Sequence, residues 1–439
     1  MAEERRYSLA IIGGGVTGAA LAYVASRYTD IGSIVVIEKN AWVAQVNSHP
    51  MNNAQTSHDG GTETNYDLAH ALKVKAAAVM LRRYVESKKD PLLFKKTHRM
   101  VLGVGAYEVE KLRKRFEDFK SSYPDLRLIG AEELKTLEPM LMKDRSLDEP
   151  VAALVSSEGY AVNYQRLAEC LISDAMTINK NLELSFNTGV ESIRHEHAQY
   201  MIETTKGNVR ADMVVFAAGP YSLFFAQQLG YGKRFAILPV AGSFYSGGEL
   251  VRGKVYRVQV EGRPFAEIHG DPDVLNSRDT RFGPTTKPLP LMERHKYETF
   301  FDFLKLPLVS LRWVASLFKI IRQNKLVGYV AKNMVYDLPL IGKFFFLKEV
   351  RVIIPSMRYS DLKLRRGAGG IRPQIVDLPT GTLQMGDATI VGDNIIFNTT
   401  PSPGASICLG NAKRDAAELI KFGEGKYSFD VAAFEKDLG

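Results

Sequence analysis

The fold is decided by a short stretch near the start of the chain, residues 8–18, which reads SLAIIGGGVTG. An apolar strand runs there into glycines spaced as GxGxxG, and an alanine-rich helical segment follows. Gly13 permits a tight turn, Gly15 lets the backbone approach a pyrophosphate, and Gly18 lets the helix pack on the strand. The N-terminus of such a helix also favours an anion. The stretch therefore predicts a dinucleotide-binding β-α-β unit.

A second apolar strand completes this unit. Residues 33–37 read SIVVI and run into Glu38, which lies twenty residues beyond Gly18. An acidic residue at this place accepts hydrogen bonds from the ribose of an adenosine. Because its charge would repel a 2′-phosphate, the sequence disfavours NADPH as the bound nucleotide.

Later segments return to the same sheet. Residues 213–218 predict a strand that ends on small residues, and residues 394–398 predict another, followed by a loop at 399–406 and a helix. A helix N-terminus with small residues suits a flavin carbonyl or a ribityl hydroxyl. From 223 to 365, strands rich in Tyr, Phe and Val indicate a separate mixed sheet. We therefore expect an α/β (α+β) fold in which a Rossmann-like FAD-binding domain is interleaved with a mixed-sheet substrate domain.

The length of the chain supports this division. Its 439 residues exceed a typical single domain, so more than one folded unit is expected. The FAD-binding domain is predicted at residues 1–95, 151–235 and 366–439, and the substrate domain at residues 96–150 and 236–365.

The composition excludes several classes of protein. With 45% hydrophobic and 24% charged residues, the chain is neither disordered nor fibrous. The two cysteines, Cys170 and Cys408, are far apart and form no metal or redox motif, so no metal site is predicted. The sequence contains neither a signal peptide nor a stretch of roughly 20 apolar residues. We expect a cytoplasmic protein that is soluble or lies on a surface.

The basic charge is concentrated in one segment, residues 305–348, whose net charge is +7 against +8 for the whole chain. Apolar and aromatic residues are interspersed there at about helical spacing, as in helices that lie on a membrane. Three interpretations stay open: a helix packed on its own domain, peripheral attachment to an anionic membrane, or contact with a nucleic-acid backbone. The basic residues are Lys305, Arg312, Lys319, Arg322, Lys325, Lys332, Lys343 and Lys348.

Six motifs in order along the chain resemble one known family. They are the glycine fingerprint with Glu38, the run 53–66 (NAQTSHDGGTETNY), the segment 238–245 (LPVAGSFY), His269 with Gly283-Pro284-Thr285, the segment 371–374 (IRPQ), and the segment 401–406 (PSPGAS). This set is similar to the FAD-dependent malate:quinone oxidoreductases, most of all to their shorter epsilonproteobacterial forms, which are D-amino-acid-oxidase-like flavoproteins. The resemblance implies FAD as cofactor, and oxidation of (S)-malate to oxaloacetate with electrons passed to a membrane quinone.

The fingerprint and the resemblance together give a set of residues expected to hold FAD. They are Gly13, Gly15, Val16, Thr17, Gly18, Glu38, Lys39, Thr56, Ser57, Ala218, Gly219, Pro403, Gly404, Ala405 and Ser406. Cys408 invites the idea of covalent flavin attachment, but a small buried helical residue is the other interpretation.

Oxidation of a 2-hydroxy acid needs a cation for the carboxylate and a base for the hydroxyl proton. Arg372 is the predicted cation, because a guanidinium grips a carboxylate with two hydrogen bonds. A second cation would suit a dicarboxylate, and Lys254 or Arg281 could supply it. His269 is the predicted base, since imidazole titrates near neutral pH and the resemblance implies a histidine there. His58 is the rival candidate.

The resemblance also implies that Ser243, Tyr245 and Thr285 line the substrate pocket. The expected partners are (S)-malate or a related 2-hydroxy dicarboxylate, a membrane quinone, and the inner face of the cytoplasmic membrane, with no nucleic acid. Two alternatives stay open. One is an L-2-hydroxyglutarate dehydrogenase or oxidase, whose substrate is longer by one methylene, and the other is an RNA-binding flavoprotein that uses the basic segment.

Overall fold

The computed structural model describes residues 5–260, 267–306, 326–338, 341–384, 388–399 and 404–439. Of the predicted functional residues, Pro403 and the basic residues between 307 and 325 lie outside this part of the chain.

The helices follow one another along the chain with strands between them. They are α1 (Val16–Tyr28), α2 (Leu68–Lys88), α3 (Ala106–Phe119), α4 (Ala131–Leu137), α5 (Pro139–Met142), α6 (Tyr164–Ile178), α7 (Pro220–Gln228), α8 (Thr299–Lys305), α9 (Leu326–Val335), α10 (Ile341–Ile353), α11 (Cys408–Phe422) and α12 (Val431–Leu438). A short 3-10 helix spans Pro50–Asn52.

The strands form three sheets. They are β1 (Arg5–Ile12), β2 (Ile34–Ile37), β3 (Phe94–Val104), β4 (Arg127–Gly130), β5 (Val151–Val162), β6 (Leu182–Ser185), β7 (Val190–Glu196), β8 (Gln199–Thr204), β9 (Gly207–Phe216), β10 (Phe235–Ala241), β11 (Tyr245–Ser246), β12 (Lys254–Arg257), β13 (His269–Pro272), β14 (Thr280–Gly283), β15 (Lys287–Pro288), β16 (Lys363–Leu364), β17 (Ile371–Asp377), β18 (Thr382–Gln384), β19 (Ala388–Gly392) and β20 (Ile395–Thr399).

The first sheet carries the nucleotide fingerprint. Its order is β19-β20-β9-β1-β2-β6, and β1 pairs in parallel with both β2 and β9, so that Ile11 lies beside Val36 and Val215. The apolar side chains of β1 are buried, and α1, α6 and α11 pack together over one face of the sheet. The strands expected from residues 33–37, 213–218 and 394–398 are all present, which confirms the predicted interrupted sheet.

The other two sheets lie between the segments of the first. An antiparallel sheet has the order β15-β10-β17-β18, and a mixed sheet has the order β16-β11-β14-β13-β12-β3-β5-β4 with β12 parallel to β3. Strand β5 was assigned to the nucleotide-binding part by the sequence, but it pairs with β3 and β4 in the mixed sheet. The predicted fold class, an FAD-binding sheet interleaved with a mixed sheet, is confirmed.

Among the described residues, no helix is long and apolar enough to cross a lipid bilayer.

Candidate active site

A cavity of about 560 Å³ opens at the carboxyl ends of β1, β2 and β9. This is the edge at which an open α/β sheet binds its ligand. Ten of the residues predicted to hold the cofactor line it, namely Gly13, Gly15, Val16, Thr17, Glu38, Lys39, Ala218, Gly219, Gly404 and Ala405.

The glycines of the fingerprint have separate structural roles. Gly13 has a φ of +110°, and a methyl group on Gly18 would overlap the carbonyl oxygen of Gly13. Both glycines therefore allow α1 to lie close against β1. A methyl group on Gly15 would touch only Ser48, with 3.5 Å to its Oγ, and would otherwise extend into space that belongs to the cavity. The absence of a side chain at Gly15 keeps the N-terminus of α1 open to a ligand.

The N-terminus of α1 suits an anionic ligand. The first turn of α1 contains no acidic residue, and its N-cap, Gly15, provides no side-chain hydrogen bond. The amide of Val16 donates to Oγ of Ser48 at 3.1 Å, and the dipole of α1 favours an anion at this end of the helix. These features fit the pyrophosphate of FAD.

Glu38 lies buried at the end of β2, where a ribose is expected. One carboxylate oxygen accepts from the amide of Gly14 at 2.7 Å, and the other accepts from the amide and the side chain of Asn40 at 2.8 and 2.6 Å. A carboxylate has about four acceptor positions, so one position remains for a ribose hydroxyl. Lys39 at the rim pairs with Glu293 and lies over the ring of Tyr221.

The segment before α11 forms the other end of the cavity. Gly404 and Ala405 line it, and the first turn of α11 carries no acidic residue. Cys408 is fully buried in the adjoining core, and burial raises the pKa of its thiol to about 12. A thiol that is neutral at pH 7 is a poor nucleophile, so the buried interpretation of Cys408 is favoured over covalent attachment.

The loop 50–59 runs from this cavity over the mixed sheet, and a row of charged residues on that sheet holds it. Arg99 and Lys254 are neighbours on β3 and β12, and Asp271 and Arg281 are neighbours on β13 and β14. Nζ of Lys254 lies 3.5 Å from Oδ1 of Asp271, which joins the two pairs. All four side chains are at most 1% exposed.

Each cation of the row binds the loop. Arg281 donates to the carbonyl of Pro50 at 3.0 Å. Lys254 donates to Oγ1 of Thr56 at 3.0 Å and to the carbonyl of Ala54 at 3.3 Å. Both cations proposed for a second substrate carboxylate are therefore already engaged with the protein, and burial lowers the pKa of Arg281 to about 10.

Arg99 anchors the far end of the loop. It pairs with Asp59 and lies 3.5 Å from the carbonyl of Ser57. Ser57 also donates its amide to the carbonyl of Tyr160. Neither Thr56 nor Ser57 lines the large cavity, but Oγ of Ser406 donates to the carbonyl of Thr56 and accepts from the amide of His58. The loop is therefore tied to the residue next to cavity-lining Ala405.

The two candidate histidines lie on either side of Tyr256. The ring of His269 is 5.0 Å from the tyrosine ring, and that of His58 is 6.4 Å from it. Nδ1 of His58 is 2.7 Å from Glu63, and Nε2 of His269 is 3.0 Å from Asp271. Each histidine thus has its own buried carboxylate.

Both carboxylates are ionised at neutral pH. Burial alone would raise the pKa of each one. His58 and Arg99 nevertheless hold the pKa of Glu63 at about 2, and His269 and Lys254 hold that of Asp271 at about 2. The electrostatic attraction of the neighbouring groups outweighs the loss of hydration.

Arg372 stands apart from these pairs. It lies on β17 beside Val240, and its Nη2 donates to Oγ1 of Thr286 at 3.4 Å. Within the part of the chain that the structure describes, no carboxylate lies within ion-pair distance of it. Arg372 is part-buried, and burial lowers the pKa of its guanidinium. Such a cation is ready for an incoming carboxylate.

The residues predicted to line the substrate pocket separate into two groups. Ser243 and Thr285 are linked by hydrogen bonds, one of them from the amide of Ser243 to Oγ1 of Thr285 at 3.0 Å. Tyr245 instead points into the core of the mixed sheet, where its hydroxyl donates to the carbonyl of Tyr336 and its ring stacks on Phe346. In this position Tyr245 has no polar group to offer a substrate.

One contributor to the site had no signal in the sequence. The side chain of Asn47 lines the cavity, and its amide exchanges two hydrogen bonds with the backbone of Ile371, at 2.8 and 3.1 Å. It thereby fixes the start of β17 next to Arg372. Only its place in a polar loop before the motif at 53–66 could have drawn attention to it.

The fold and this cavity define an FAD-dependent oxidoreductase, and the family model described as FAD dependent oxidoreductase matches residues 8–414. The malate:quinone oxidoreductase of Helicobacter pylori is 37% identical, over 98% of each chain. The chain therefore belongs to this FAD-dependent family and, within it, to the malate:quinone oxidoreductases, and FAD is its cofactor.

Two other proteins are more distantly similar to this chain. Human mitochondrial L-2-hydroxyglutarate dehydrogenase is 25% identical, over 92% of this chain and 87% of that protein. The L-α-glycerophosphate oxidase of Mycoplasma pneumoniae, solved with FAD bound, superposes with a TM-score of 0.68 at 18% identity, over 95% of each chain. The second similarity establishes the fold alone.

The contact between Gly18 and Gly13 yields a test of the FAD site. Gly18→Ala places a methyl group against the Gly13 carbonyl and must push α1 away from β1. We expect this overpacking to cost about 1–3 kcal/mol of stability and to leave most of the purified protein without flavin. Flavin absorbance per protein and thermal unfolding measure both effects. Gly32→Ala is the matched control, since nothing lies within 4 Å of its added methyl group, and equal flavin loss in both variants would contradict the assignment.

Proposed function

We propose that this protein oxidises (S)-malate to oxaloacetate and passes the electrons to a quinone. The observation that carries the substrate class is the guanidinium of Arg372, which is part-buried and has no carboxylate partner in the described part of the chain. Membership of the malate:quinone oxidoreductases supports the same conclusion. FAD, when bound, supplies the acceptor for the hydride that leaves the hydroxyl-bearing carbon.

Arg372 binds the carboxylate next to the reacting carbon. A guanidinium can donate two parallel hydrogen bonds to a carboxylate, which fixes the orientation of the substrate as well as its position. Asn47 holds the backbone of the preceding residue, Ile371, so the base of the Arg372 side chain has little freedom. This rigidity keeps the substrate in one pose during the reaction.

His269 accepts the hydroxyl proton. It is paired across β13 and β14 with Gly283, and Thr286, which contacts Arg372, follows three residues later. One short segment thus joins the base to the carboxylate-binding residue. The clamped loop 50–59 covers this face of the sheet and limits the entry of water.

The reaction itself is tested by anaerobic bleaching of the flavin in the purified holoenzyme. We expect rapid bleaching by (S)-malate, recovery on addition of a soluble quinone, and no bleaching by NADH. L-2-Hydroxyglutarate is the comparison substrate. It is longer by one methylene, a difference that changes kcat/KM by only about 10- to 200-fold. Faster bleaching by L-2-hydroxyglutarate than by malate would make L-2-hydroxyglutarate the substrate. No bleaching by either acid would refute the proposed function.

Arg372→Lys tests the carboxylate-binding role. Lysine keeps the charge but loses the second hydrogen bond, and a hydrogen bond to a charged group contributes about 1.5–3 kcal/mol. We therefore expect the KM for malate to rise roughly 10- to 100-fold in steady-state assays. Arg366→Lys, on an exposed residue nearby, is the control. An unchanged KM in Arg372→Lys would remove Arg372 from the substrate site.

Replacing each histidine by asparagine distinguishes the two candidate bases. His269→Asn should slow flavin reduction by malate about 10²- to 10⁴-fold, the range that a general base contributes. His58→Asn should retain most of this rate, because we assign His58 to the flavin side of the loop through its amide bond to Ser406. Stopped-flow reduction measures both rates. The opposite ranking would make His58 the base.

We further propose that the protein attaches peripherally to the inner face of the cytoplasmic membrane through α10. Exposed apolar side chains on this helix include Ile341, Phe344 and Phe345. Lys348 lies over the ring of Phe344 at 5.1 Å, so a cation accompanies the exposed rings. A surface that combines apolar rings with basic charge suits an anionic bilayer.

The attachment is tested by the double variant Phe344→Ser with Phe345→Ser. Each half-exposed ring contributes roughly 1 kcal/mol on burial in lipid, so binding to anionic vesicles should fall at least about tenfold in a sedimentation assay. Leu147→Ser, on a fully exposed leucine elsewhere, is the control. Unchanged vesicle binding, or a salt-sensitive RNA shift without vesicle binding, would contradict the membrane proposal.

A further inference from the structure

Asp271 is a buried carboxylate that has Lys254 near one oxygen and His269 near the other. It follows His269 by two residues on β13, so both side chains lie on the same face of the mixed sheet. Asp271 is 1% exposed and His269 is 3% exposed. Within the described part of the chain, neither carboxylate oxygen of Asp271 and neither ring nitrogen of His269 has a properly aligned hydrogen-bond partner.

The two groups are nevertheless close enough to interact strongly. Nε2 of His269 is 3.0 Å from Oδ2 of Asp271, a distance that suits an ion pair although the alignment of a hydrogen bond is missing. An unsatisfied buried polar group costs about 1–3 kcal/mol, and more when it is charged. The ion pair with the buried Lys254 offsets part of this cost, and a partner of Oδ2 that becomes positively charged would offset more of it.

We propose that Asp271 is the positioning residue of the base: its negative charge, 3.0 Å from Nε2, favours the tautomer of neutral His269 that has its proton on Nε2, so that Nδ1 is the nitrogen that accepts the substrate proton. This inference rests on the proposed function. The O–H bond of the substrate breaks and its proton moves to Nδ1. The C–H bond breaks and its electron pair leaves as hydride to the bound flavin, while the C=O bond forms. Asp271 then faces the imidazolium that results.

The surroundings of His269 support this assignment. Its own strand contributes Asp271, and the adjacent strand β12 contributes Lys254, which keeps Asp271 ionised. Tyr256 donates its hydroxyl to Thr56, and burial raises its pKa well above the usual value, so it stays neutral. The remaining charged or titratable groups on this face are Arg281 on β14, Arg99 on β3, and His58, Asp59 and Glu63 from the loop and the segment after it.

Within the described residues, the charged groups near the opposite face of β13 are Glu349 with its partners and Glu267, whose charge acts on Tyr336. Helix α10 packs there through an apolar cluster that includes Phe346 and Val350. Its Glu349 is paired with Arg257 and Lys332. Among the residues that the structure describes, Asp271 is thus the carboxylate within ion-pair distance of His269.

Asp271→Asn in the FAD-loaded enzyme tests the role, because asparagine keeps the size and removes the charge. We expect flavin reduction by malate to slow about 10²- to 10⁴-fold. In the pH profile of the reduction rate, the acid limb, where the rate falls because the base becomes protonated, should move to lower pH by at least about one unit. Loss of a nearby negative charge makes the imidazole harder to protonate. The malate concentration at half-maximal rate should change less than threefold, because Arg372 is untouched. Asp271→Glu should restore part of the rate.

The matched control is Asp273→Asn. This carboxylate is also buried on the same segment, but it bonds Gln55 and Arg365 and not His269. Its acid limb should stay at the wild-type pH. A shift of equal size in both variants, or a rate within threefold of wild type in Asp271→Asn with an unmoved acid limb, would overturn the inference. If malate fails to reduce even the wild-type flavin, the proposed function is refuted instead.

A second measurement requires neither a variant that folds nor a substrate. Long-range proton–nitrogen NMR of the wild-type holoenzyme, labelled with ¹⁵N at its eight histidines, reports which ring nitrogen carries the proton. The signal of His269 is assigned by its absence from His269→Asn. We expect the proton on Nε2 and a bare Nδ1 in the resting enzyme at pH 8. A proton on Nδ1 would overturn the inference even if Asp271→Asn fails to fold.

Discussion

The site depends on one row of buried charges across four strands of the mixed sheet. Arg99, Lys254, Asp271 and Arg281 lie side by side, and the three cations hold the loop 50–59 at successive points along its backbone. The same loop reaches Ser406 beside the FAD cavity. The relative placement of the flavin-binding residues and the candidate base therefore rests on hydrogen bonds from charged groups that water does not screen.

A row of this kind is costly to build, because each buried ion loses its hydration. The arrangement limits that cost by giving every cation a carbonyl or a carboxylate within reach. The carboxylate oxygens of Asp271 lie close to Lys254 and His269 but have no aligned hydrogen-bond partner among the described residues. Nε and Nη2 of Arg99 and Nε of Arg281 also lack such a partner, but Asp271 is the member of the row next to His269, where we propose that a positive charge forms during the reaction.

Local sequence patterns predicted the parts of the molecule that local chemistry determines. The spacing of Gly13, Gly15 and Gly18 between a strand and a helix specifies a turn that few other sequences can form, so the nucleotide-binding sheet and its cavity followed from it. Composition also indicated a second, mixed sheet. The strands of that sheet are short and pair with distant segments, and β5 joined it although its sequence gave no sign of its partner.

The details of the site depend on pairings between residues far apart in the chain. Lys254 and Arg99 become neighbours only when β12 pairs with β3, and Asn47 meets Ile371 only after the two parts of the chain have folded together. The orientation of Tyr245 depends likewise on α10, which supplies the ring that it stacks on. Sequence motifs could name Tyr245 as a pocket residue, but they could not reveal the packing that turns it into the core.

The same long-range pairings explain why Lys254 and Arg281 hold the loop, whereas Arg372 is the cation that we propose for the substrate. The sequence predicted Arg372 for one substrate carboxylate and Lys254 or Arg281 for a second, and in the structure Arg372 is part-buried whereas the other two are fully buried. Lys254 and Arg281 hold the loop by donating to its carbonyls, which also accept from Thr56 and Gln55. Among the described residues, Arg372 donates to the hydroxyl of Thr286 and lies near Tyr329, in a place where the backbone is already fixed by Asn47. A charge that the fold does not need for its own stability is the one that remains available for a carboxylate ligand.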